Sequence, residues 1–166
     1  MKDMIRKAAP DDLEQIDMCF AELLEHERTH IKYTSWQQGV YPTKSTAEQS
    51  IAQGNLYVYD DGSGICGVII AGKNQPPKFG GILWQVQAQP GEVLAINLLC
   101  VRPSKARRGI GKSLVMFAAG MAKSAGLRAV RLDTGAQNTP AKSFYEAMGF
   151  KCAGSNRNFL FYELKI

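Results

Sequence analysis

No stretch of this chain approaches the run of about eighteen apolar residues that a membrane-spanning helix needs, so no membrane partner is expected. The start, Met1-Lys2-Asp3-Met4-Ile5-Arg6, lacks the apolar centre of a secretory signal, and the expected location is cytoplasmic. Histidine is scarce: only His26 and His30 occur, both in one early segment. The four cysteines, Cys19, Cys66, Cys100 and Cys152, lie far apart and form no CxxC pair. These scarcities argue against a metal centre or redox motif, and no metal is expected. Each cysteine sits in an apolar or strand-like context, which predicts reduced, packed thiols. There is no repeat, no low-complexity tract and no obvious linker. Lysine and arginine are in excess, for a net charge of +5, but they are scattered rather than blocked. That balance suits an anionic ligand, and no nucleic-acid partner is expected.

What is present is an ordinary globular composition, with 45% hydrophobic and 21% charged residues over a length of 166. The length fits one domain, residues 1–166, around one buried core. A short strand is expected at Met4–Arg6. A helix start follows at Pro10–Glu14, where Asp11 and Glu14 have capping-box spacing. Leu13, Ile16, Phe20, Leu23 and Leu24 repeat at helical period. Ser45–Gly54 reads as a second helix, with Ser45 and Glu48 as its capping box. Leu56–Tyr59 and Ile65–Ala71 read as strands joined by the turn Asp60-Asp61-Gly62-Ser63-Gly64. Gly72–Gly81 is a proline-bearing loop, and Ile82–Gln87 a weaker strand. Val93–Val101 is the most apolar run and predicts a central strand, interrupted only by Asn97. Ile110, Leu114, Phe117, Ala118, Met121 and Ala125 form a helical stripe closed by Gly126. Leu127–Leu132, the helix Thr139–Met148, and strands at Phe150–Ala153 and Asn158–Leu164 complete the chain.

The segment with the clearest chemistry is Arg107-Arg108-Gly109-Ile110-Gly111-Lys112-Ser113, between the apolar strand and the helical stripe. Two glycines allow close backbone approach, the helix start offers free N–H groups and partial positive charge, and three cations supply full charges. This is a phosphate cradle. Ala106 to Ser113 nearly satisfies the GxxxxGK[ST] pattern of an NTPase P-loop, with Ala106 in place of the first glycine. Against that, Arg102–Lys105 separates the strand from Ala106, and Arg131 interrupts the strand that would have to bind magnesium.

About thirty residues downstream lies Asn138-Thr139-Pro140-Ala141-Lys142-Ser143-Phe144-Tyr145-Glu146-Ala147-Met148-Gly149-Phe150, preceded by Leu132-Asp133-Thr134. The two blocks, in this order and at this spacing, resemble the two central signatures of the GNAT superfamily of N-acetyltransferases. The resemblance runs from about Val93 to Gly154. One position departs from it: Ala106 stands where the family usually has Gln or Arg, with Arg107 and Arg108 beside it.

The resemblance implies a mixed α/β (α+β) fold. Its central sheet would be mainly antiparallel, of six to seven strands flanked by about four helices, splayed between the strands ending near Val101 and starting near Leu127. Acetyl-CoA would be the cosubstrate. Its pyrophosphate would lie over Arg107, Arg108, Gly109, Ile110, Gly111, Lys112 and Ser113, and its pantetheine arm along Leu99, Cys100 and Val101. Asn138 would bond the arm or neighbouring backbone, or cap the following helix. Tyr145 would protonate the leaving thiolate; its alternative is packing beside Phe144 and Met148. Counting back from the glycines places Ala95 where histone-type members carry a glutamate base. Asn97 shares that face of the strand and would orient a water or the substrate. Glu92, Glu25, Glu27 and His26 are the other base candidates, beside a water relay. Tyr33, Trp36 and Tyr41 fall in the loop expected to border the acceptor. An aromatic cluster there either packs against an amine or staples the loop to the core.

The leading expectation is transfer of an acetyl group to a primary amine, on a small molecule or a protein, by direct attack in a ternary complex. The alternatives are a non-catalytic acyl-CoA-binding module and, behind it, a P-loop NTPase. Dimerisation is common in the family and stays open here.

Overall fold

A computed structural model describes residues 4–166. Seven strands follow the order β1-β2-β3-β4-β5-β7-β6 in one sheet. They are β1 (Ile5–Lys7), β2 (Leu56–Asp60), β3 (Ile65–Gly72), β4 (Val93–Val101), β5 (Ala129–Gly135), β6 (Lys151–Ser155) and β7 (Phe159–Lys165). The helices are α1 (Leu13–Thr29), α2 (Lys44–Ala52), α3 (Ile110–Ser124) and α4 (Thr139–Ala147). The β1–β2, β2–β3, β5–β7 and β6–β7 ladders are antiparallel, and β4–β5 is parallel. The expected mixed, mainly antiparallel sheet with four helices is present. Among the described residues, no helix is long and apolar enough to cross a membrane.

The chain divides into two compact units. The first comprises Met1–Lys32, Trp36–Ala71 and Leu98–Phe117, and the second Tyr33–Ser35, Gly72–Asn97 and Ala118–Ile166. In the first unit, Ile16, Cys19 and Phe20 of α1 close over Leu56, Val58, Val68 and Ile70, and over Leu98 and Cys100 of β4. These are the helical period of α1 meeting the alternation of the strands. Gly67 of β3 has a packing role. A Cβ there would lie 2.8 Å from Ile110 Cγ2 and 3.0 Å from Leu114 Cδ1, so only glycine lets the first turns of α3 seat this closely.

Both predicted capping boxes shift. At α1 the working carboxylate is Asp12, not Asp11 or Glu14: it accepts from Ala9 N at 2.8 Å and binds Arg6 at 2.7 and 3.0 Å. A single 3-10 turn, Pro10–Asp12, precedes the helix. At α2 the cap is Thr43, whose hydroxyl accepts from Thr46 N, while Thr46 Oγ1 takes Thr43 N in return. Spacing identified the right kind of signal, and at α2 hydroxyls two residues earlier outcompeted Ser45 and Glu48.

In the second unit, β5 and β7 pair along their whole length, from Ala129–Lys165 to Gly135–Phe159. The segment Ile82–Gln87 is not a strand; together with the 3-10 turn Pro77–Phe79 before it, it forms an irregular strap. Its backbone groups are taken by side chains instead of a ladder. Gln85 N and Val86 N donate to Glu163 Oε1 at 3.0 and 3.1 Å, and Val86 O accepts from Arg131 Nη2 at 2.9 Å. Arg131 Nε meets Glu163 Oε2 at 2.9 Å, and the Trp84 ring lies 4.4 Å from the guanidinium carbon. Phe79, Ile82 and Trp84 of the strap pack with Ala95, Phe159 and Phe161.

Cys19, Cys66 and Cys100 are buried, as expected, but Cys152 is exposed, because β6 is the outermost strand. Burial pushes the Cys19 thiol up to about 11 and raises Cys66 and Cys100. It pushes the Tyr162 phenol up to about 12, with Glu146 adding to the rise. Each group holds its proton more tightly in the folded chain than in the unfolded one. The stabilisation is therefore complete below the ordinary thiol value of 9.0 and is lost as pH rises through the shifted values. The melting temperature should stay level to about pH 8 and fall steadily between about pH 9 and 11. Thermal melts across that range check this, and a level profile up to pH 11 would contradict it.

Candidate active site

The basic loop belongs to the first unit. After β4, the Arg102 amide donates to Cys66 O and its Nε to Ile65 O, at 2.9 and 2.8 Å, which fixes the strand exit. A 3-10 turn, Pro103–Lys105, follows. Ser104 Oγ donates to Glu22 at 2.9 Å, and Lys105 Nζ reaches Asp61 at 3.1 Å, so two side chains pin the turn. Ala106 is extended, with φ −65° and ψ 158°. Arg107 then takes a left-handed conformation at φ 63°, and Gly109 repeats it at φ 77°. A non-glycine residue adopts this backbone rarely, and such strain collects at ligand sites.

The two reversals place Arg107, Arg108 and Lys112 on the exposed surface around the start of α3. Ile110 turns its side chain into the core, so only its backbone can serve a ligand. Ser113 N donates to Gly109 O at 2.9 Å. Its amide is thus engaged within the helix, a correction to the expected run of amides. By helix geometry, the N–H groups preceding it are those that lack an intrahelical partner, and Ser113 can offer its hydroxyl. Three exposed cations around a helix N-terminus suit a pyrophosphate in charge. The site is not a P-loop: a full turn separates strand from loop, and the left-handed residue is Arg107 rather than Ala106.

Leu99 and Val101 are half-buried, and the Cys100 side chain is sealed in the first unit's core, which leaves its backbone alone for binding. The β4–β5 ladder spans only Val93–Ala129 to Ile96–Leu132, whereas β4 continues to Val101 and β5 to Gly135. Trp36 packs against the first unit's core cluster, edge-on to Tyr41 with centroids 6.2 Å apart. This is the stapling arrangement; Tyr41 keeps 36% of its surface exposed.

Asn138 and Tyr145 belong to the second unit. Asn138 Oδ1 accepts from Ala141 N at 3.2 Å and so caps α4. Tyr145 is 7% exposed, with Phe144, Phe150 and Tyr162 at ring distances of 5.0, 5.5 and 6.4 Å. Burial raises its phenol well above the usual range, and the Asp133 carboxylate raises it further. A phenol so placed stays protonated at any physiological pH.

The base candidates separate. Ala95 is fully buried in the aromatic cluster of the second unit and supplies no base. Asn97 is exposed on β4. Glu25 is exposed and paired with Arg28 at 2.6 Å, and Glu92 lies 3.8 Å from Arg128. Glu27 is buried, with Lys32 at 3.9 Å. His26 stacks on His30 at 4.0 Å between centroids. Asp133, on β5, enters the sequence reading only within Leu132-Asp133-Thr134 and with no role of its own; a carboxylate following the apolar Leu132 was the signal available.

A search of curated proteins found no significant match. The model of the acetyltransferase (GNAT) family matches residues 15–150. A Staphylococcus aureus Mu50 protein assigned as an acetyltransferase superposes with a TM-score of 0.76 at 25% identity, covering 98% of each chain. A GNAT family acetyltransferase from Listeria monocytogenes gives 0.78 at 18% identity, over 98% of this chain and 94% of its own. A PaiA N-acetyltransferase from Thermoplasma acidophilum, solved in complex with coenzyme A, gives 0.70 at 21% identity over the whole of both chains. The two at 18% and 21% identity speak to the fold alone. With the family model spanning most of its length and the same fold throughout, the chain belongs to the GNAT family of acetyltransferases.

Proposed function

We propose that this chain, as one domain over residues 1–166, is an acetyl-CoA-dependent N-acetyltransferase acting on a primary amine by direct attack in a ternary complex. The observation that carries the reading is the exposed left-handed turn at Arg107 and Gly109, which opens the start of α3 amid three cations. Family membership and the coenzyme A held by the Thermoplasma acidophilum protein support it.

Acetyl-CoA would supply the activated acetyl group as a thioester. Arg107, Arg108, Lys112 and the first free amides of α3 would hold its pyrophosphate. Backbone groups of Leu99, Cys100 and Val101, beyond the end of the β4–β5 ladder, would bond the pantetheine arm as an added strand does. Asn138 holds the first turn of α4 in place, and Tyr145 on that helix would give its phenolic proton to the leaving sulfur. With Ala95 in the core, a water ordered by Asn97 would remove the amine proton.

Thiol release from acetyl-CoA in the presence of a panel of primary amines tests the reading, alongside calorimetric binding of coenzyme A. Amine-dependent release is expected. Coenzyme A binding without release under any amine would favour the non-catalytic acyl-CoA module, which the buried Ala95 recommends. No binding at all would overturn both.

A further inference from the structure

In the second unit, the strap carries a lysine to the exit of β5. Lys78 Nζ lies 2.7 Å from Asp133 Oδ2 and 4.2 Å from the centre of the Phe159 ring. The carboxylate is largely shielded, with its side chain 13% exposed, whereas the lysine is 40% exposed. A primary ammonium held between a carboxylate and an aromatic face is a general recognition pattern for alkylammonium groups. Here the chain's own side chain fills it.

The place matters as much as the pattern. Asp133 sits toward the carboxyl end of β5, one residue beyond Leu132, the last pair of the parallel β4–β5 ladder. Tyr33, from the segment between α1 and α2, reaches the same end: its carbonyl lies 3.8 Å from where a Cβ on Gly135 would stand. The charge of Asp133 also reaches the buried phenol of Tyr145.

The two ion pairs of this region differ in kind. Arg131–Glu163 is sealed, with both side chains under 10% exposed and the guanidinium and carboxylate bonded to strap backbone as well. Lys78–Asp133 has one partner in water, so exchanging one ammonium for another there costs little. Its anchor does not depend on the lysine, because Phe79 and Trp84 already hold the strap against Phe161.

Resting on the acetyltransferase reading above, we propose that Asp133 and Phe159 form the subsite for the acceptor's primary ammonium, and that Lys78 occupies it until an acceptor displaces it. The acceptor is then a cationic amine with an alkyl stem, bound in its protonated form before it reacts.

The test uses butylamine, 1,4-diaminobutane and Nα-acetyl-lysine amide, with butan-1-ol as the uncharged control. Binding to the full chain saturated with coenzyme A is followed by calorimetry, and KM by thiol release. Lys78→Met should tighten amine binding and lower KM by about threefold to tenfold, because the internal competitor is gone. Asp133→Asn should weaken both by about tenfold or more, and Phe159→Leu by about threefold. Coenzyme A affinity should stay the same in all three.

A latch with a purely structural role predicts otherwise. Lys78→Met and Asp133→Asn would then lower the melting temperature alike and leave amine affinity unmoved, and that result overturns the subsite. Failure of every amine to bind overturns it as well. Thiol release with variant-independent KM removes the subsite and keeps the acetyltransferase reading. Asp133-dependent amine binding without thiol release does the reverse.

Discussion

Tyr145→Phe is expected to lower kcat by about a hundredfold or more while leaving coenzyme A affinity within about twofold. The substitution removes one oxygen and keeps the ring. Packing with Phe144, Phe150 and Tyr162 needs only the ring, so the variant should fold and melt like the parent. What disappears is the phenolic proton proposed for the leaving sulfur. Burial and the nearby Asp133 carboxylate hold that proton on the phenol far into the alkaline range. The phenol should therefore contribute no descending limb to the pH–rate profile below about pH 10. Steady-state thiol release, with calorimetry for coenzyme A, checks both points. An unchanged kcat would return Tyr145 to a packing role only.

The largest loss of stability should follow Arg131→Met. Arg131 is 7% exposed and Glu163 5%, so the variant leaves a carboxylate buried without its cation. Breaking one side of such a pair costs about 3–5 kcal/mol. For a chain of this length that lowers the melting temperature by about 10 °C. Glu163→Leu should be comparably severe for a second reason: Gln85 N and Val86 N lose the oxygen that replaces a strand partner for them. The double variant should lose less than the two singles summed, because neither charge is then stranded. Urea denaturation of the three variants measures this. Strict additivity would mean that the pair contributes nothing as a pair.

The capping boxes show how far local spacing carries. Helix starts were legible near residues 10 and 45, but which oxygen caps each one depends on competition within a single turn. At α1 it also depends on Arg6 of β1, six residues before Asp12. The strap is the sharper case. Ile82–Gln87 has the composition of a strand and is not one, because Glu163 and Arg131 take its backbone groups from a strand far along the chain. Cys152 reads like the other cysteines and is exposed only because β6 ends the sheet.

The sequence by itself determined the family and supplied the two motifs on which the proposed donor site rests. The glycine-flanked basic loop and the Asn138–Phe150 block are short motifs, their spacing is local, and backbone conformation at Gly109 follows from residue type. Only the tertiary structure brought together the residues proposed for the acceptor. Lys78, Asp133 and Phe159 come from a strap, a strand and a second strand, and no periodicity links them. Antiparallel register brings Phe159 opposite Gly135, two residues beyond Asp133, and aromatic packing of Phe79 lays the strap across that end. Register and strap placement arise from long-range burial, and that burial is spread over many residues with no motif of its own.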